Sequence, residues 1–418
     1  KKFNHFAGSI IILDEVQTLK LDLMPLIGAS LYFLTRFLDA RIILMTATQP
    51  KIFDLAQRLI LDEENETAKV RELLPAHEKI FKKFQRTKIV SLINNEINNE
   101  EFIALFLDYW NEKKSCLIVC NTVQRSLNIY DEIVANFQKN DIDNPVYYLS
   151  TNIIPVKRKE VVQLIKKDLS QNKNPVLITT QVVEAGVDLD FDMGFRDIGP
   201  IDSIVQVAGR INRENSIERK DSPLYIVKFI DDKNQADASK VYGDLTFYQA
   251  SLALEDKEEI PEKDYKNMVE TYFSNLSERK SFAKAVGIFH SMKTLNYDGE
   301  KENHPVSSFR IIEEAPWAIS VFIECNKHAE EVRKAYEALL HHQLERDVFE
   351  KKYKTDFHQF IIAVPDYLPK VQELKSSEDS YLSENLLIVR KEFLDQYYSA
   401  LTGFNRERAI ISESYKML

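Results

Sequence analysis

The run Ile10-Ile11-Ile12-Leu13-Asp14-Glu15-Val16-Gln17 places an acidic pair directly after a continuous apolar stretch. At the carboxyl end of a buried parallel strand, where α/β folds put ligand sites, Asp14 would hold Mg²⁺ directly or through water. Glu15 would orient and deprotonate a water attacking a γ-phosphate. The plainer reading is an acidic pair capping the next helix. Leu44-Met45-Thr46-Ala47-Thr48 ends a second apolar run with two hydroxyls. Thr46 and Thr48 would bond Asp14 or Glu15 and relay the phosphate state, although Thr48 also suits the N-cap of a helix starting near Gln49.

Two further segments carry polar groups at element ends. In Thr179-Thr180-Gln181-Val182-Val183-Glu184-Ala185-Gly186-Val187-Asp188, neutral donors at a strand end suit a nucleic-acid phosphate. Gly186 permits close backbone approach and Asp188 would meet a ribose hydroxyl; a turn without a ligand explains the same residues. In Gln206-Val207-Ala208-Gly209-Arg210-Ile211-Asn212-Arg213, a helix would set Gln206, Arg210 and Arg213 on one face. Paired guanidinium groups suit a phosphoryl transition state, where an arginine finger is worth about 10³–10⁵ in rate. A solvated basic face is the alternative. Gly209 inside a helix would cost about 1 kcal/mol against Ala and so needs a reason.

The elements that must position these residues alternate. Strands are expected at 9–13 and 41–45 with helices near 19–38 and 49–61, which predicts a parallel α/β sheet. After a mixed connector at 62–85, strands at 116–120, 146–149, 175–180 and 224–230 alternate with helices at 122–138, from Pro155, and near 201–213, a doubly wound pattern. Residues 231–280 read as helical, charged and strand-free. The region 281–418 has strands expected at 308–312, 318–324 and 358–364 and helices near 327–347 and 391–401.

In order and spacing, the acidic pair, Thr-Ala-Thr, Gly-Val-Asp and Gln-x-x-Gly-Arg-x-x-Arg resemble motifs II, III, V and VI of superfamily-2 helicases. Asp14–Gln17, Thr180–Asp192 and Gln206–Arg213 further resemble the CRISPR-associated helicase–nuclease of type I interference systems, over about residues 9–230. The resemblance implies two RecA-like parallel-sheet lobes, the first truncated at its N-terminal side (1–75, then 76–230), a helical linker (231–280) and an α/β C-terminal accessory domain (281–418). It implies an ATP- and Mg²⁺-dependent motor moving single-stranded DNA 3′→5′, an HD nuclease domain that degrades the strand, and recruitment to a CRISPR surveillance complex. Asp14 and Glu15 take the metal and water roles, Thr46 and Thr48 couple the lobes, and Gly186, Asp188, Gln206, Arg210 and Arg213 meet ATP. Thr180 and Gln181 are candidates for DNA, and Asn121-Thr122 resembles motif IV, where a hydroxyl touches backbone phosphate.

Two expected parts are not in the sequence. None of the ten glycines is followed by Lys, so no Gly-x-x-x-x-Gly-Lys-Ser/Thr loop cradles the phosphates, and no His-Asp pair precedes the motifs. Both belong upstream of Asp14, and the chain, lacking an initiator Met, is expected to begin inside a domain. By itself it is expected not to hydrolyse ATP. The 418 residues, 44% hydrophobic and 29% charged, have the balance of a globular chain and argue against wholesale disorder. A net charge of −10 argues against coating nucleic acid by bulk positive potential. Three cysteines make no disulfide framework and fit a reducing cytoplasm. Neither a signal peptide nor a membrane-length apolar run is expected. Two alternatives remain: a non-catalytic docking or DNA-clamp module using 281–418, and another superfamily-2 motor acting on duplex DNA or RNA.

Overall fold

The computed structural model describes residues 3–46, 52–61, 68–74, 83–184, 187–299, 304–311 and 317–406. In the N-terminal unit, strand β1 (Ile10–Asp14) pairs in parallel with β2 (Arg41–Met45), Ile10 opposite Arg41 and Asp14 opposite Met45. Helices Met24–Leu38 and Ile52–Leu61 cross closely at Gly28, where a Cβ would stand 2.6 Å from the Ile52 carbonyl oxygen. Parallel strands are normally covered on both faces, but Ile10 and Ile12 are 63% and 57% exposed. The stretch Leu21–Leu38, 18 residues of mean hydropathy 1.3, does reach membrane-span length and apolarity, contrary to expectation. Its Leu23, Leu26, Ala29 and Tyr32 are buried against Ala56, Leu59 and Ile60, which accounts for the apolarity as core packing.

The central sheet has seven strands: β3 (Thr87–Ile97), β4 (Cys116–Val119), β5 (Val146–Leu149), β6 (Val176–Thr179), β7 (Met193–Asp197), β8 (Ser222–Phe229) and β9 (Glu259–Pro261). Their order is β5-β6-β4-β7-β8-β3-β9, parallel except for β9. β4, β6 and β7 are buried along their whole length, as strands with helices on both faces require. Phe102, Phe106, Ile129 and Ile133 cover one face; Ile201, Ile204, Val207, Val269 and Tyr272 cover the other. Three expectations change here. The connector is followed by a strand, β3, and a helix, Asn99–Tyr109, before β4. β7 lies between β4 and β8 in the sheet. Residues 231–280 are not strand-free, because β9 zips onto β3 and helix Tyr265–Arg279 packs into the same core.

Helix Ala283–Lys293 returns to the N-terminal unit, burying Ala285, Ile288 and Phe289 against Leu26, Ala29 and Leu59. The C-terminal unit is a four-stranded mixed sheet of β10 (Ala318–Ile323), β11 (Ile361–Pro365), β12 (Tyr381–Ser383) and β13 (Leu386–Val389), in the order β11-β10-β13-β12. Of the residues expected as strand, Ser308 ends a 3-10 turn at Val306–Ser308, residues 309–311 follow it without forming a strand, and Ile312 lies outside the described residues. The helix expected near 391–401 is a short turn, Leu394–Tyr397, running into the hairpin β14 (Tyr398–Ser399) and β15 (Gly403–Phe404).

Candidate functional site

β1 ends at Asp14, and Glu15 adopts a left-handed backbone conformation (φ 54°) that turns the chain out of the strand. The Glu15 carboxylate accepts from Gln17 Nε2, and the nearly buried Gln17 accepts in turn from the Thr46 hydroxyl at the end of β2. The link expected between the second strand end and the acidic pair therefore runs through an amide. Gln17 has both a donor and an acceptor and can bridge the two. Thr48, the other coupling candidate, lies outside the described residues, as does Gly186.

The arginine segment departs from the helical expectation. Helix Ile201–Ala208 stops before both arginines, with Gly209 as its C-cap. The chain then reverses: the Phe191 amide donates to the Arg210 carbonyl, Ile211 bridges to Phe191, and Asn212 takes a φ of 44°. Asn212 is fully buried, and its amide donates to the carbonyls of Arg219 (2.8 Å), Arg86 (3.2 Å) and Ser216 (3.2 Å). So Gln206, Arg210 and Arg213 do not share a helical face. Gly209 sits not inside a helix but at its end, where a Cβ would make a tight 3.3 Å contact with the Gln206 carbonyl oxygen.

The turn nevertheless brings the three side chains together with the acidic strand end. Glu15, Thr46, Asp188, Gln206, Arg210 and Arg213 all line one cleft of about 730 Å³. Arg210 donates from Nε to Val183 O (3.1 Å) and from Nη2 to Glu184 O (2.7 Å). Arg213 Nε pairs with Asp188 Oδ1 at 2.9 Å. Burial and the neighbouring Arg213 pull the Arg210 pKa below the usual arginine value, while Asp188 and Glu15 oppose the shift. The Glu15 charge of the N-terminal unit thus acts on Arg210 of the central unit across the cleft. Chemically, the cleft offers the Glu15 carboxylate as a base and two guanidinium groups for an anion, groups a phosphoanhydride cleavage uses, while Asp14 at the end of β1 is not among its lining residues. Among the described residues no three His, Cys, Asp or Glu side chains gather into a metal cage.

The four nucleic-acid candidates sit elsewhere. Asn121 is 4% exposed and Thr180 3%. Asn121 Nδ2 donates to Asp197 Oδ2 (2.6 Å) and to Ile198 O (2.7 Å). Thr122 caps helix Val123–Lys139 by accepting from the Arg125 amide (3.1 Å). Gln181 donates to Asn121 O (3.0 Å) and Tyr242 OH (2.9 Å). In this arrangement Asn121 and Thr180 turn inward. The residue that organises this interior, Arg196, was absent from the candidates. The signal for it is a charged Arg-Asp pair closing the apolar run Met193-Gly194-Phe195.

A family model described as "CRISPR-associated nuclease/helicase Cas3, C-terminal" matches residues 112–216. The chain is 30% identical over 236 residues to the CRISPR-associated nuclease/helicase Cas3 of Methanothermobacter thermautotrophicus, a match covering 55% of this chain and 27% of that protein. The fold is similar to that of T. fusca Cas3 crystallised with ATP, with a TM-score of 0.65 and 16% identity over 92% of this chain and 51% of that one. A chain solved in a "CRISPR RNA-guided surveillance complex, pre-nicking" gives a TM-score of 0.54 at 15% identity, covering 91% of this chain and 53% of that one. The chain therefore spans about a quarter of that curated relative and about half of the two solved chains.

Proposed function

We propose that the chain, similar to the CRISPR-associated nuclease/helicase Cas3 over residues 112–216 and in fold, is a Cas3-like helicase–nuclease family member and forms part of an ATP-driven 3′→5′ single-stranded DNA translocase of CRISPR interference. In this reading the N-terminal and central units are two RecA-like lobes, the first completed by a segment carrying the phosphate-binding loop. The observation that carries the reading is the shared cleft, in which Glu15 of one unit faces Arg210 and Arg213 of the other.

Glu15 would orient and deprotonate the attacking water, held in place by Gln17. Arg210 and Arg213 would take the charge that builds on the transferred phosphoryl group, and Arg213 would exchange its partner Asp188 for phosphate oxygens. Asp14, at the open strand end, would hold Mg²⁺, a cation usually carried by one or two carboxylates together with nucleotide phosphates. When bound, the cation neutralises phosphate charge. Without a Gly-x-x-x-x-Gly-Lys-Ser/Thr loop the chain by itself would not turn over ATP. The exposed Ile10 and Ile12 of the two-stranded sheet are the surface against which the completing segment would lie. The similarity to a chain solved in a surveillance complex supports the proposal that the complete protein acts with such a complex, and an HD nuclease domain is proposed from the sequence resemblance alone.

The test is DNA-stimulated ATP turnover by the complete enzyme. Arg213→Ala is expected to lower kcat by about 10³ or more, the range of a lost arginine finger. An unchanged rate overturns the reading, and stronger stimulation by RNA than by DNA favours a different superfamily-2 motor.

A further inference from the structure

Arg196 has no part in the chemistry assigned above, yet it is a fully buried cation. Its Nη1 donates to Asn121 Oδ1 at 2.5 Å and to the Asp197 carbonyl at 2.8 Å. Its Nη2 donates to Ser203 Oγ (3.0 Å), Tyr242 OH (3.1 Å) and Glu184 Oε1 (3.2 Å). The partners come from separate segments and converge because β6, β4 and β7 are neighbours in the sheet. Glu184 follows β6, Asn121 follows β4, and Arg196 is near the end of β7. Burial opposes the charge, but Tyr242, Glu184 and Asp197 outweigh it and hold the guanidinium above the usual arginine pKa. A buried charge costs several kcal/mol unless it is paired and hydrogen-bonded, so this network is expensive to assemble and selective about geometry.

Two of those partners lead to the cleft. Glu184 closes the 3-10 turn Gln181–Val183, and its main-chain carbonyl is the one that receives Arg210 Nη2. Its carboxylate is pinned from two sides, by Arg196 and by Ser203 Oγ, which donates to Oε1 at 2.7 Å. Ser203 lies on helix Ile201–Ala208, the element that delivers Arg210 through Gly209. Arg196 thus braces both the carbonyl cradle that receives the Arg210 guanidinium and the helix that brings it there.

We infer that Arg196 is a positioning residue that aims Arg210 into the cleft through Glu184 and Ser203, and so governs turnover rather than nucleotide affinity. The inference rests on the ATPase reading above. It is tested by a double-mutant cycle on kcat and KM for ATP in the complete, DNA-stimulated enzyme. Arg196→Lys keeps the charge but loses the planar fork that reaches several partners. It is expected to lower kcat about tenfold with KM within about twofold, and to change kcat less than about twofold when Arg210→Lys is already present. An equal loss in both backgrounds marks a general packing role and overturns the inference, as does a loss carried by KM or no loss at all. If Arg196→Lys fails to unfold cooperatively, Ser203→Ala decides the matter. About a threefold loss that vanishes in the Arg210→Lys background supports the inference, and an additive or absent loss overturns it. If Arg210→Lys alone turns over ATP at the wild-type rate, the ATPase reading itself fails.

Discussion

Asp197, at the end of β7, has a fully buried carboxylate that accepts from Asn121 Nδ2 at 2.6 Å and from the Phe229 amide at 3.3 Å. Arg196 donates not to this carboxylate but to the Asp197 main-chain carbonyl, so the acid is less neutralised than its neighbour suggests. Burial first, and Asp237 next, push its pKa up to about 8. A raised carboxyl pKa means that the folded state holds the proton more tightly than the unfolded chain does. The stability contribution is therefore complete below about pH 4, the unfolded value, and is lost as pH rises through about 8. Asp197→Asn is expected to flatten the fall in Tm across pH 4–8, as measured by thermal unfolding at stepped pH; an unaltered slope refutes the assignment. At this scale the acidic pair and the arginines were legible because each ends or follows an apolar run in a recognisable order. Arg196 was not, because its role comes from partners at sequence separations of up to 75 residues.

At the scale of elements, periodicity located most of the strands that flank the cleft but misjudged where helices stop. A helix over 201–213 follows from side-chain types alone, yet Asn212 buries an amide that serves three carbonyls, and this ends the helix at Ala208. Helix Asn99–Tyr109 went unassigned although its start is written in the sequence. Asn98 accepts from the Glu101 amide at 3.0 Å, and Glu101 accepts from the Asn98 amide at 2.8 Å, a reciprocal capping box. Asn98→Ala is expected to destabilise the protein by about 1 kcal/mol, read as a lower denaturation midpoint with an unchanged denaturant slope. β9, three residues long and bounded by Pro261, is too short to carry a period of its own and exists because β3 offers an edge.

For the whole molecule, the C-terminal unit is held on the loop before helix Pro155–Ser170. Asn152 Nδ2 donates to the carbonyls of Thr402 (2.8 Å) and Phe404 (2.7 Å), the Phe404 amide donates to Asn152 O (3.0 Å), and Ile154 N donates to Tyr398 OH (3.1 Å). Gly403 makes this fit possible: its φ is 83°, and a Cβ there would stand 2.1 Å from Asn152 O. Gly403→Ala is expected to detach the unit, so that limited proteolysis cuts on either side of residues 317–406 at least tenfold faster while the central sheet stays protected. Equal protection in variant and wild type counts against this docking. The chain passes from the central sheet to the N-terminal unit at Ala283–Lys293 and then to the C-terminal unit. No local pattern announced that path, because the apolar face of that helix fits any apolar groove equally well. The sequence by itself determined which groups can do chemistry and in what order they come, since each depends on its own strand end or turn. Only the tertiary structure decided which of them meet. Adjacency in a parallel sheet is set by crossover packing, and a buried charge accepts only the arrangement that satisfies it.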